Sequence, residues 1–501
     1  MTSAIKVKKV NRIRLGEPPR VLDLFAGCGG LSLGFHTAGF EIVGAVEIDP
    51  CAAKSHSHNF FKTRPHLVNE SIHVERDITQ IEPNELLKDF KPSFKPAESV
   101  DVIIGGPPCQ AFARVGRAKL REVMDDPFAF KQDPRANLYL RYLHYVQKLQ
   151  PVAILIENVP DILNFGGHNI AEEICETLSG LGYVCRYTLL NSVHYGVPQM
   201  RERMFLIAYS KELQIIPTFP KATNWIEIPR GYVGTRHVAL KHLEIGLFGD
   251  DNFYTEPPEI SKELPAAITA KEALQDLPRI TYHLMGKAKK MPQRFDNLMR
   301  YPEGVSVSKY GQTMRSWKGF ESVEGIKDHV IRYLPRDYAI FKRMRPGDQY
   351  PEAFAIANEM LQERLMNLKH QGFEVKEGSD EYEKLKKEIV PPYDPGKFPN
   401  KWRKMESDMP ARTLMAHLGK DGYSHIHYDS EQARTISVRE AARLMSFPDG
   451  FVFAGSMNAA FRQIGNAVPP LLSLAIANEI KESLGGYQHG SQNCSQETYS
   501  I

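Results

Sequence analysis

Short apolar runs alternate with segments of helical spacing between residues 21 and 209, and this alternation leaves few folds open to the first half of the chain. Between residues 135 and 149, for example, apolar side chains recur every three or four positions, as on the buried face of a helix. Strands that alternate with helices build a mostly parallel sheet, and ligands bind at the carboxyl ends of its strands. We therefore predict an α/β domain with strands over 21–25, 41–49, 100–104, 152–156, 184–191 and 204–209, and helices over 31–38, 135–149 and about 170–181.

The regular alternation ends near residue 210. Prolines, aromatic residues and charges intermingle up to residue 432, and residues 369–388 are charged enough to form a solvated helix or loop. Ser437 followed by Glu440 then predicts a capping box at the start of a helix, and a last helix is expected from Pro470 to about Leu484. We expect a catalytic and cofactor-binding domain over 1–213 to which 457–484 returns, an inserted domain with a connecting helix over 214–456, and a disordered tail over 485–501.

The composition excludes several classes of protein. The 501 residues can bury a large core, and no run approaches the roughly 18 apolar residues of a membrane span. The basic start lacks the apolar segment of a signal peptide, so we expect a cytoplasmic protein that is not bound to a membrane. The six cysteines show no zinc spacing, and neither disulfides nor a metal site are expected. The net charge of +3 leaves nucleic-acid binding to local basic patches.

One cysteine has a setting that the others lack. The apolar run from Val100 ends in Pro107-Pro108-Cys109-Gln110, so a strand presents Cys109 on a rigid diproline turn. Backbone amides or nearby cations at a strand end can lower a thiol pKa and make the thiolate available as a nucleophile. A single cysteine is more often a small buried apolar residue, but the neighbouring residues favour a nucleophile here.

The turn Gly27-Cys28-Gly29-Gly30 follows the first predicted strand. A dinucleotide-binding fingerprint would need a glycine at position 32, which is Ser32. Glu47, at the end of the second strand, lies about 20 residues further on, where an acid can hold ribose hydroxyls. The two features indicate an adenosine-containing ligand without a pyrophosphate, although a tight turn and a surface glutamate explain them equally well.

Five motifs occur in the order and context seen in DNA cytosine-5 methyltransferases, and the chain resembles this family over about residues 19–209 and 434–484. The resemblance implies a Rossmann-like, S-adenosyl-L-methionine-dependent methyltransferase domain with an inserted, mostly irregular or β target recognition domain. The motifs are Asp23-Leu-Phe-Ala-Gly-Cys-Gly-Gly30, Gly106-Pro-Pro-Cys-Gln110, Glu157-Asn-Val-Pro160, Gln199-Met-Arg-Glu-Arg203 and Gly465-Asn-Ala-Val468.

The resemblance also implies which residues bind S-adenosyl-L-methionine. Phe25 would pack on the adenine, two glycines would approach the methionine end, and Glu47 would hold the ribose. Asp77 would accept a hydrogen bond from the adenine amino group, and Asn466 would close the pocket from the far end of the chain. The implied pocket consists of Phe25, Gly27, Gly29, Glu47, Asp77, Ile78, Pro107 and Asn466.

Methylation at cytosine C5 needs a nucleophile, because C5 cannot attack a methyl group until a group has added to C6. The resemblance assigns this addition to Cys109. Glu157 would contact cytosine N3 and the exocyclic amine, so we expect a raised pKa for its carboxyl group. Arg203 would bind the cytosine O2, and Arg201 would orient Glu157 or a phosphate. Without the resemblance, a helix cap or surface ion pair would explain Glu157, and a solvated basic strand edge would explain the arginines.

A cytosine inside a duplex must be flipped out before such a pocket can reach it. Residues 110–137 are the candidate lid, with Gly116 as a hinge. Family members usually have serine where this chain has Ala113, which puts a minor contact in doubt. The sequence does not identify the base that removes the C5 proton.

Two basic segments are candidates for DNA recognition. Residues 294–320 interleave cations with planar side chains, and residues 332–345 add a second basic cluster, which suits phosphate and base contacts. A solvated surface over a small core is the alternative. By resemblance, this region is the target recognition domain for double-stranded DNA.

The resemblance favours either the modification partner of a restriction system, with a cognate restriction endonuclease that acts on the same site, or a solitary enzyme of that type at the nucleoid. We expect a monomer, because one flipped base needs one active site. The RNA branch of similar proteins, which methylates transfer RNA, is a rival, but it is compact where this chain has a long insertion. A DNA-binding regulator with an idle pocket is a second rival. The intact Cys109, Glu157, Arg203 and Asn466 argue against it.

Overall fold

The computed structural model describes residues 2–61, 75–90, 95–108, 137–165, 167–244, 253–286, 297–420 and 422–485. The chain divides into two compact units. The first contains Met1–Ala267, Val452–Ala454 and Ala467–Ile501, and the second contains Ile268–Phe451 and Gly455–Asn466. The functional domains predicted from the sequence stay a prediction.

A six-stranded sheet in the order β2-β1-β3-β4-β7-β5 forms the centre of the first unit. Parallel pairs join β2 to β1, β1 to β3 and β3 to β4, whereas β7 runs antiparallel to both β4 and β5. The predicted α/β fold with a mostly parallel sheet is therefore confirmed. The strands of this unit are β1 (Arg20–Leu24), β2 (Glu41–Val46), β3 (Val102–Gly105), β4 (Ala153–Asn158), β5 (Tyr183–Asn191), the short β6 (Gln199–Met200) and β7 (Glu202–Ser210).

Helices flank this sheet, and the sequence predicted α2, α6, α7 and α16 close to their observed bounds. A helix that the sequence did not predict, α1, is anchored by Lys9. The buried Lys9 ammonium group donates to the carbonyl oxygens of Val100, Leu149 and Gln150 at 2.6, 2.7 and 2.9 Å. The helices of this unit are α1 (Thr2–Arg14), α2 (Gly30–Thr37), α3 (Pro50–Phe60), α4 (Pro83–Phe90), α5 (Pro96–Ser99), α6 (Asn137–Leu149), α7 (Ile170–Gly180), α8 (Arg230–Glu244) and α16 (Pro470–Gly485).

The last helix, α16, packs closely on α2. A Cβ atom added at Gly34 would lie 2.3 Å from the Ser473 Oγ, so the two helices approach each other at a position that only glycine allows. The Ser473 hydroxyl donates to the Leu31 carbonyl at 2.8 Å. The polypeptide therefore returns to the first unit after it has passed through the second unit.

The second unit is mainly irregular and helical. Of the irregular or β structure expected for the insertion, the irregular part predominates, because the strands among its described residues are only two residues long. The unpredicted α12 buries Tyr350, Ala353, Ala357 and Leu361, spaced three or four positions apart. The helices are α9 (Ala270–Leu274), α10 (Lys309–Ser316), α11 (Tyr338–Arg343), α12 (Tyr350–His370), α13 (Asp380–Ile389), α14 (Val438–Leu444) and α15 (Met457–Asn466), and the strands are β8 (Met299–Arg300), β9 (Gly325–Ile326) and β10 (Ala411–Arg412).

Buried ion pairs hold α14 within this unit. Its predicted capping box is present, because the Ser437 side chain accepts from the Glu440 amide and the Glu440 side chain accepts from the Ser437 amide. The fully buried Arg443 guanidinium group donates to Asp276 at 3.0 Å and to Asp449 at 2.6 Å. A charge removed from water in this way needs such partners, so α14 tolerates little change at Arg443.

Short 3₁₀ helices complete both units, at Pro160–Asn164, Ser192–Tyr195, Lys211–Leu213, Tyr282–Met285, Ala416–Gly419 and Gly422–His425. Within the described ranges, none of the helices combines the length and the apolar character that crossing a membrane requires.

Candidate active site

The ends of β3 and β4 bring two predicted site segments together. In the parallel register Gly105 lies opposite Ile156, so Gly106 and Glu157 follow side by side. A Cβ atom at Gly106 would lie 2.9 Å from the Glu157 Oε2, so a larger residue there would displace the carboxylate. The Pro107 carbonyl accepts a hydrogen bond from Asn158 Nδ2 at 2.8 Å. These contacts fix the segment that leads to Cys109, which itself lies outside the described residues.

Two arginines accompany Glu157. The Arg203 Nε lies 3.1 Å from the Glu157 Oε1, and both side chains are nearly buried. Arg201 is buried on the same strand segment and adds a second positive charge near the carboxylate. Burial raises the pKa of Glu157, while Arg203 and then Arg201 act in the opposite direction. Glu157, Arg201 and Arg203 thus share one site.

The residue between the arginines is held on the opposite side of the strand. Glu202 accepts from Arg236 of α8 at 2.8 Å, and the same guanidinium group reaches the Leu189 carbonyl at 3.4 Å. Because side chains alternate along a strand, this ion pair holds the backbone that carries Arg201 and Arg203. The sequence analysis missed Arg236, since no local pattern links position 236 to position 202.

The glycine turn after β1 has a strained backbone. Phe25, Gly27 and Gly29 all have positive φ angles, of 64°, 55° and 102°. A Cβ atom at Gly27 would meet no described atom within 4 Å, so this glycine faces open space. At Gly29 a Cβ atom would lie 2.4 Å from the Phe60 ring. Gly27 is therefore available to a ligand, whereas Gly29 is required for packing.

Glu47 links this turn to the next helix. Its Oε2 accepts from the Gly27 amide at 2.8 Å, and its Oε1 accepts from the Asp49 amide at 2.7 Å. Burial raises the pKa of Glu47. The adjacent Ile48 side chain is 64% exposed and offers an apolar surface that the sequence analysis did not consider. An apolar residue directly after a strand-end acid could have indicated it.

The segment with Asp77 and Ile78 lies beside Glu47, because the Arg76 amide donates to the Glu47 carbonyl at 2.7 Å. The Asp77 Oδ1 accepts from the Thr79 amide and hydroxyl, both at 2.8 Å. Ile78 is buried. This arrangement brings Asp77 and Ile78 close to the end of β2.

Arg141 fastens this segment to α6. Its buried guanidinium group donates to the Ile78 carbonyl at 2.8 Å and to Glu82 at 2.7 Å. Sequence analysis treated 135–149 only as an amphipathic helix, and it had no signal for this tertiary role of Arg141.

Asn466 is the last residue of α15 and belongs to the second unit. The preceding Gly465 allows close packing within that unit, because a Cβ atom there would lie 2.6 Å from the Met415 backbone. The role of Asn466 in the donor pocket stays a prediction. The candidate lid, apart from Asn137 at the start of α6, lies outside the described residues.

The first basic segment separates into core and surface residues. Tyr310, Trp317 and Phe320 are buried, and Arg315 donates to the buried Asp276 at 2.8 Å. The remaining described cations of the segment, Arg300, Lys309 and Lys318, are exposed, and Arg294 lies outside the described residues. The expectation that this segment's planar side chains contact DNA bases is therefore not supported for the three buried rings.

The second basic segment is partly neutralised within the unit. Arg343 forms two hydrogen bonds with Glu363, at 2.7 and 2.8 Å, and Arg336 donates to Asp337 at 2.6 Å. Arg345 is exposed.

Comparisons with known proteins agree on one family. The family model for C-5 cytosine-specific DNA methylases matches residues 19–482. A protein of Oceanobacillus iheyensis assigned as a type II methyltransferase is 38% identical over 470 residues, which cover 93% of this chain and 96% of that protein. The type II methyltransferase M.AgeI of Thalassovita gelatinovora is 29% identical, with 93% of this chain and 100% of that protein covered.

A solved structure shows a similar fold. The crystal structure of a protein assigned as a DNA modification methyltransferase of an Escherichia coli prophage matches with a TM-score of 0.55 and 22% identity. The match covers 93% of this chain and 99% of that one. Since the family model spans nearly the whole sequence, the chain belongs to the family of C-5 cytosine-specific DNA methylases.

Proposed function

We propose that this protein transfers a methyl group from S-adenosyl-L-methionine to C5 of a cytosine within a specific double-stranded DNA sequence, as the modification enzyme of a restriction-modification system. Family membership and the type II methyltransferases among its relatives support this proposal. The observation that carries it is the shared register of β3 and β4. This register places Glu157 beside the segment that leads to Cys109, with Arg203 3.1 Å from the carboxylate.

The residues around the glycine turn fit S-adenosyl-L-methionine. Each Glu47 oxygen accepts one amide hydrogen and retains capacity to accept from a ribose hydroxyl. Gly27 faces open space, and Ile48 offers an apolar surface to an adenine. We also propose that Phe25, Asp77 and Ile78 contact the adenine. When bound, the donor supplies an electrophilic methyl group on a sulfonium sulfur.

The proposed reaction begins with the Cys109 thiolate. Its sulfur forms a bond to C6, and the electrons of the C5–C6 double bond shift through C4 to N3. A protonated Glu157 gives its proton to N3. Arg203 donates to O2, where negative charge develops. C5 then takes the methyl group, a base removes the C5 proton, the C6–sulfur bond breaks to release Cys109, and N3 returns its proton to Glu157.

The substrate reaches this site by base flipping, because a stacked cytosine would be inaccessible. We assign sequence recognition to the inserted region and lid closure to the segment after Cys109. One flipped cytosine needs one active site, so we propose that a monomer acts on DNA in the nucleoid. A restriction endonuclease with the same recognition sequence would complete the system.

Bisulfite sequencing of DNA from a methylation-free host that expresses the protein tests this proposal. Wild type is expected to produce methylcytosine within one short sequence, and Cys109→Ala to produce none. Cys175→Ala, which changes a buried cysteine on α7, is the matched control and should methylate normally. Unmodified DNA with soluble wild type, or methylation by Cys109→Ala, would contradict the proposal.

Duplex DNA that carries 5-fluorocytosine at the modified position tests the covalent step. Wild type should form an adduct that survives denaturation, because the C5 fluorine cannot be removed as a proton. Cys109→Ala should form no such adduct, and an adduct of equal yield would exclude Cys109 as the nucleophile.

A further inference from the structure

A chain of three buried polar side chains lies behind the glycine turn. The Ser32 hydroxyl donates to the Asp23 Oδ2 at 2.6 Å and lies 2.9 Å from the His56 Nε2. All three side chains are at most 2% exposed. Asp23 belongs to β1, Ser32 to α2 and His56 to α3, so the chain connects three elements. The proposed chemistry uses none of these side chains.

The chemistry of the groups sets the direction of these hydrogen bonds. Whenever Asp23 is ionised it can only accept, and Ser32 then donates to it. The Ser32 oxygen then accepts a hydrogen from His56 Nε2, which fixes the tautomer of the ring. Burial lowers the pKa of His56 to about 3, so the imidazole stays neutral at physiological pH.

The carboxyl group of Asp23 depends on the hydrogen bond from Ser32, because its other oxygen makes no hydrogen bond in the described part of the protein that could replace it. Among the described residues, the buried Asp23 Oδ1 has no hydrogen-bond partner. Burial raises the pKa of Asp23 to about 7, and the charge of Glu47 adds to the rise. The other titratable groups that act on Asp23 are the buried Cys28 thiol and the buried Tyr142 hydroxyl of α6, and His56 lies on the far side of Ser32. Loss of the Ser32 hydroxyl would leave this buried carboxylate with the Ser32 backbone amide as its remaining donor among the described residues.

The hydrogen bonds of Asp23, Ser32 and His56 form part of a network that reaches the proposed donor pocket. Helix α3 is attached at its start, where Asp49 bonds to Glu47 and Glu47 bonds to the Gly27 amide. It is attached again about two turns later, where His56 bonds to Ser32 and its ring lies 3.0 Å from a Cβ atom built at Gly29. Two separate links therefore fix the spacing between Gly27 and Glu47.

We propose that Asp23, Ser32 and His56 are positioning residues for the methyl donor. Their hydrogen bonds hold α2 and α3 so that the Gly27 amide and the Glu47 carboxylate keep the geometry that the donor requires. This inference rests on the proposed donor pocket. It follows that the loss of these side-chain hydrogen bonds weakens donor binding, while DNA binding and the rate at saturating donor change little.

The pair Ser32→Ala and Ser473→Ala tests this inference. Both substitutions remove a fully buried hydroxyl that makes a hydrogen bond to or from α2, but only Ser32 belongs to the group of Asp23, Ser32 and His56. We expect Ser32→Ala to raise the Kd for S-adenosyl-L-methionine about tenfold or more, which is the size expected for a lost hydrogen bond to a charged group. Ser473→Ala should stay within about twofold of wild type, and both variants should keep their kcat at saturating donor and their KM for DNA.

The pair His56→Gln and His56→Leu provides a second test that does not require Ser32→Ala to fold. A glutamine amide can still donate to Ser32, whereas leucine cannot, so donor affinity should be largely retained in the first variant and lost in the second. Equal donor affinity in Ser32→Ala and wild type, or equal losses in the two His56 variants, would overturn the inference. If the wild type itself bound no S-adenosyl-L-methionine in calorimetry, the proposed function would fail instead.

Discussion

At the scale of single residues, Glu157 combines two opposing influences on one carboxyl group. Burial raises its pKa, and Arg203 at 3.1 Å together with Arg201 favours the ionised form. A group balanced in this way can hold a proton in the free enzyme and release it when negative charge develops nearby. The position of Glu157 at a strand end was evident from the sequence, but its balance of burial and charge depends on the fold.

We expect Glu157→Gln to lower kcat by about 10²- to 10⁴-fold, the usual range for the loss of a general acid. The active form of Glu157 is protonated, so in wild type kcat/KM should fall as pH rises above its raised pKa. This fall should be absent in Glu157→Gln, which cannot ionise. Methyl-transfer kinetics between pH 5 and 9 check the prediction, and Glu176→Gln on the exposed side of α7 is the control. An unchanged kcat in Glu157→Gln would remove Glu157 from the mechanism.

Asp23 should make stability depend on pH. Its pKa is about 7 in the folded protein and 3.8 in its ordinary state, so the folded protein holds a proton that the unfolded chain has lost between these values. The stabilisation is complete below pH 3.8 and is lost as pH rises through 7, by up to about 4 kcal/mol.

Urea unfolding at pH 5 and pH 8 measures this effect. The free energy of unfolding should fall less between these pH values in Asp23→Asn than in wild type, because asparagine does not titrate. The exposed Asp408→Asn should behave like wild type. The same pH dependence in Asp23→Asn and wild type would show that Asp23 is ionised throughout this range.

At the scale of elements, the sheet was predictable because buried strands read as continuous apolar runs. The unpredicted α12 buries Tyr350, Ala353, Ala357 and Leu361 but carries other apolar residues, such as Met366, outside this buried set, so its period was hidden. The site residues at strand ends followed from motifs, whereas Arg141, Arg236 and Ile48 did not. The roles of Arg141 and Arg236 arise from contacts between positions far apart in the chain, such as 78 with 141, which no local pattern encodes. Ile48 could have been indicated by its place directly after Glu47.

The close approach of β3 and β4 gives a test at this scale. Gly106→Ala places a methyl group 2.9 Å from the Glu157 Oε2, and the carboxylate must move away from it. We expect a loss of about 100-fold in kcat, because a shift of about 1 Å in a positioned group costs this much. Circular dichroism should show a folded protein, since the displaced atom is the end of a side chain.

Gly180→Ala at the end of α7 is the matched control, because a Cβ atom there would meet no described atom within 4 Å. It should retain full activity. Wild-type kcat in Gly106→Ala would show that the position of Glu157 near β3 does not matter.

At the scale of the whole molecule, the family match spans both compact units, yet the units differ in how much the sequence revealed. The first unit follows a regular alternation, and its fold was predicted. The second consists of short helices and loops around aromatic and ionic cores, such as Arg443 between Asp276 and Asp449. Such cores form from scattered positions, so a basic, aromatic segment was interpreted as a DNA surface although Tyr310, Trp317 and Phe320 are buried.

In residues 294–320, replacement of the exposed lysines and replacement of the ion-paired Arg315 should have different effects. Replacing the exposed Lys309 and Lys318 by alanine should weaken DNA binding and reduce the salt dependence of the affinity by about one unit of slope for each DNA phosphate that a lysine had neutralised. The melting temperature should stay close to that of wild type. Arg315→Ala should instead lower the melting temperature, because it removes a partner from the buried Asp276.

Fluorescence anisotropy with a labelled duplex at several salt concentrations, together with thermal melts, distinguishes the two outcomes. If the lysine variants bound DNA with unchanged affinity and salt slope, this part of the second unit would lie outside the DNA interface. An unchanged melting temperature in Arg315→Ala would show that Asp276 finds sufficient support from Arg443.

The Lys9 ammonium group has a practical consequence for anyone who engineers this enzyme. The family match begins at residue 19, so a shortened version that starts there would keep every matched position. It would nevertheless remove the donor to the carbonyls of Val100, Leu149 and Gln150, which lie next to β3 and at the end of α6. Trimming the amino terminus to the start of the family match would therefore destabilise the sheet that carries the active site. Purification tags are better placed beyond residue 485.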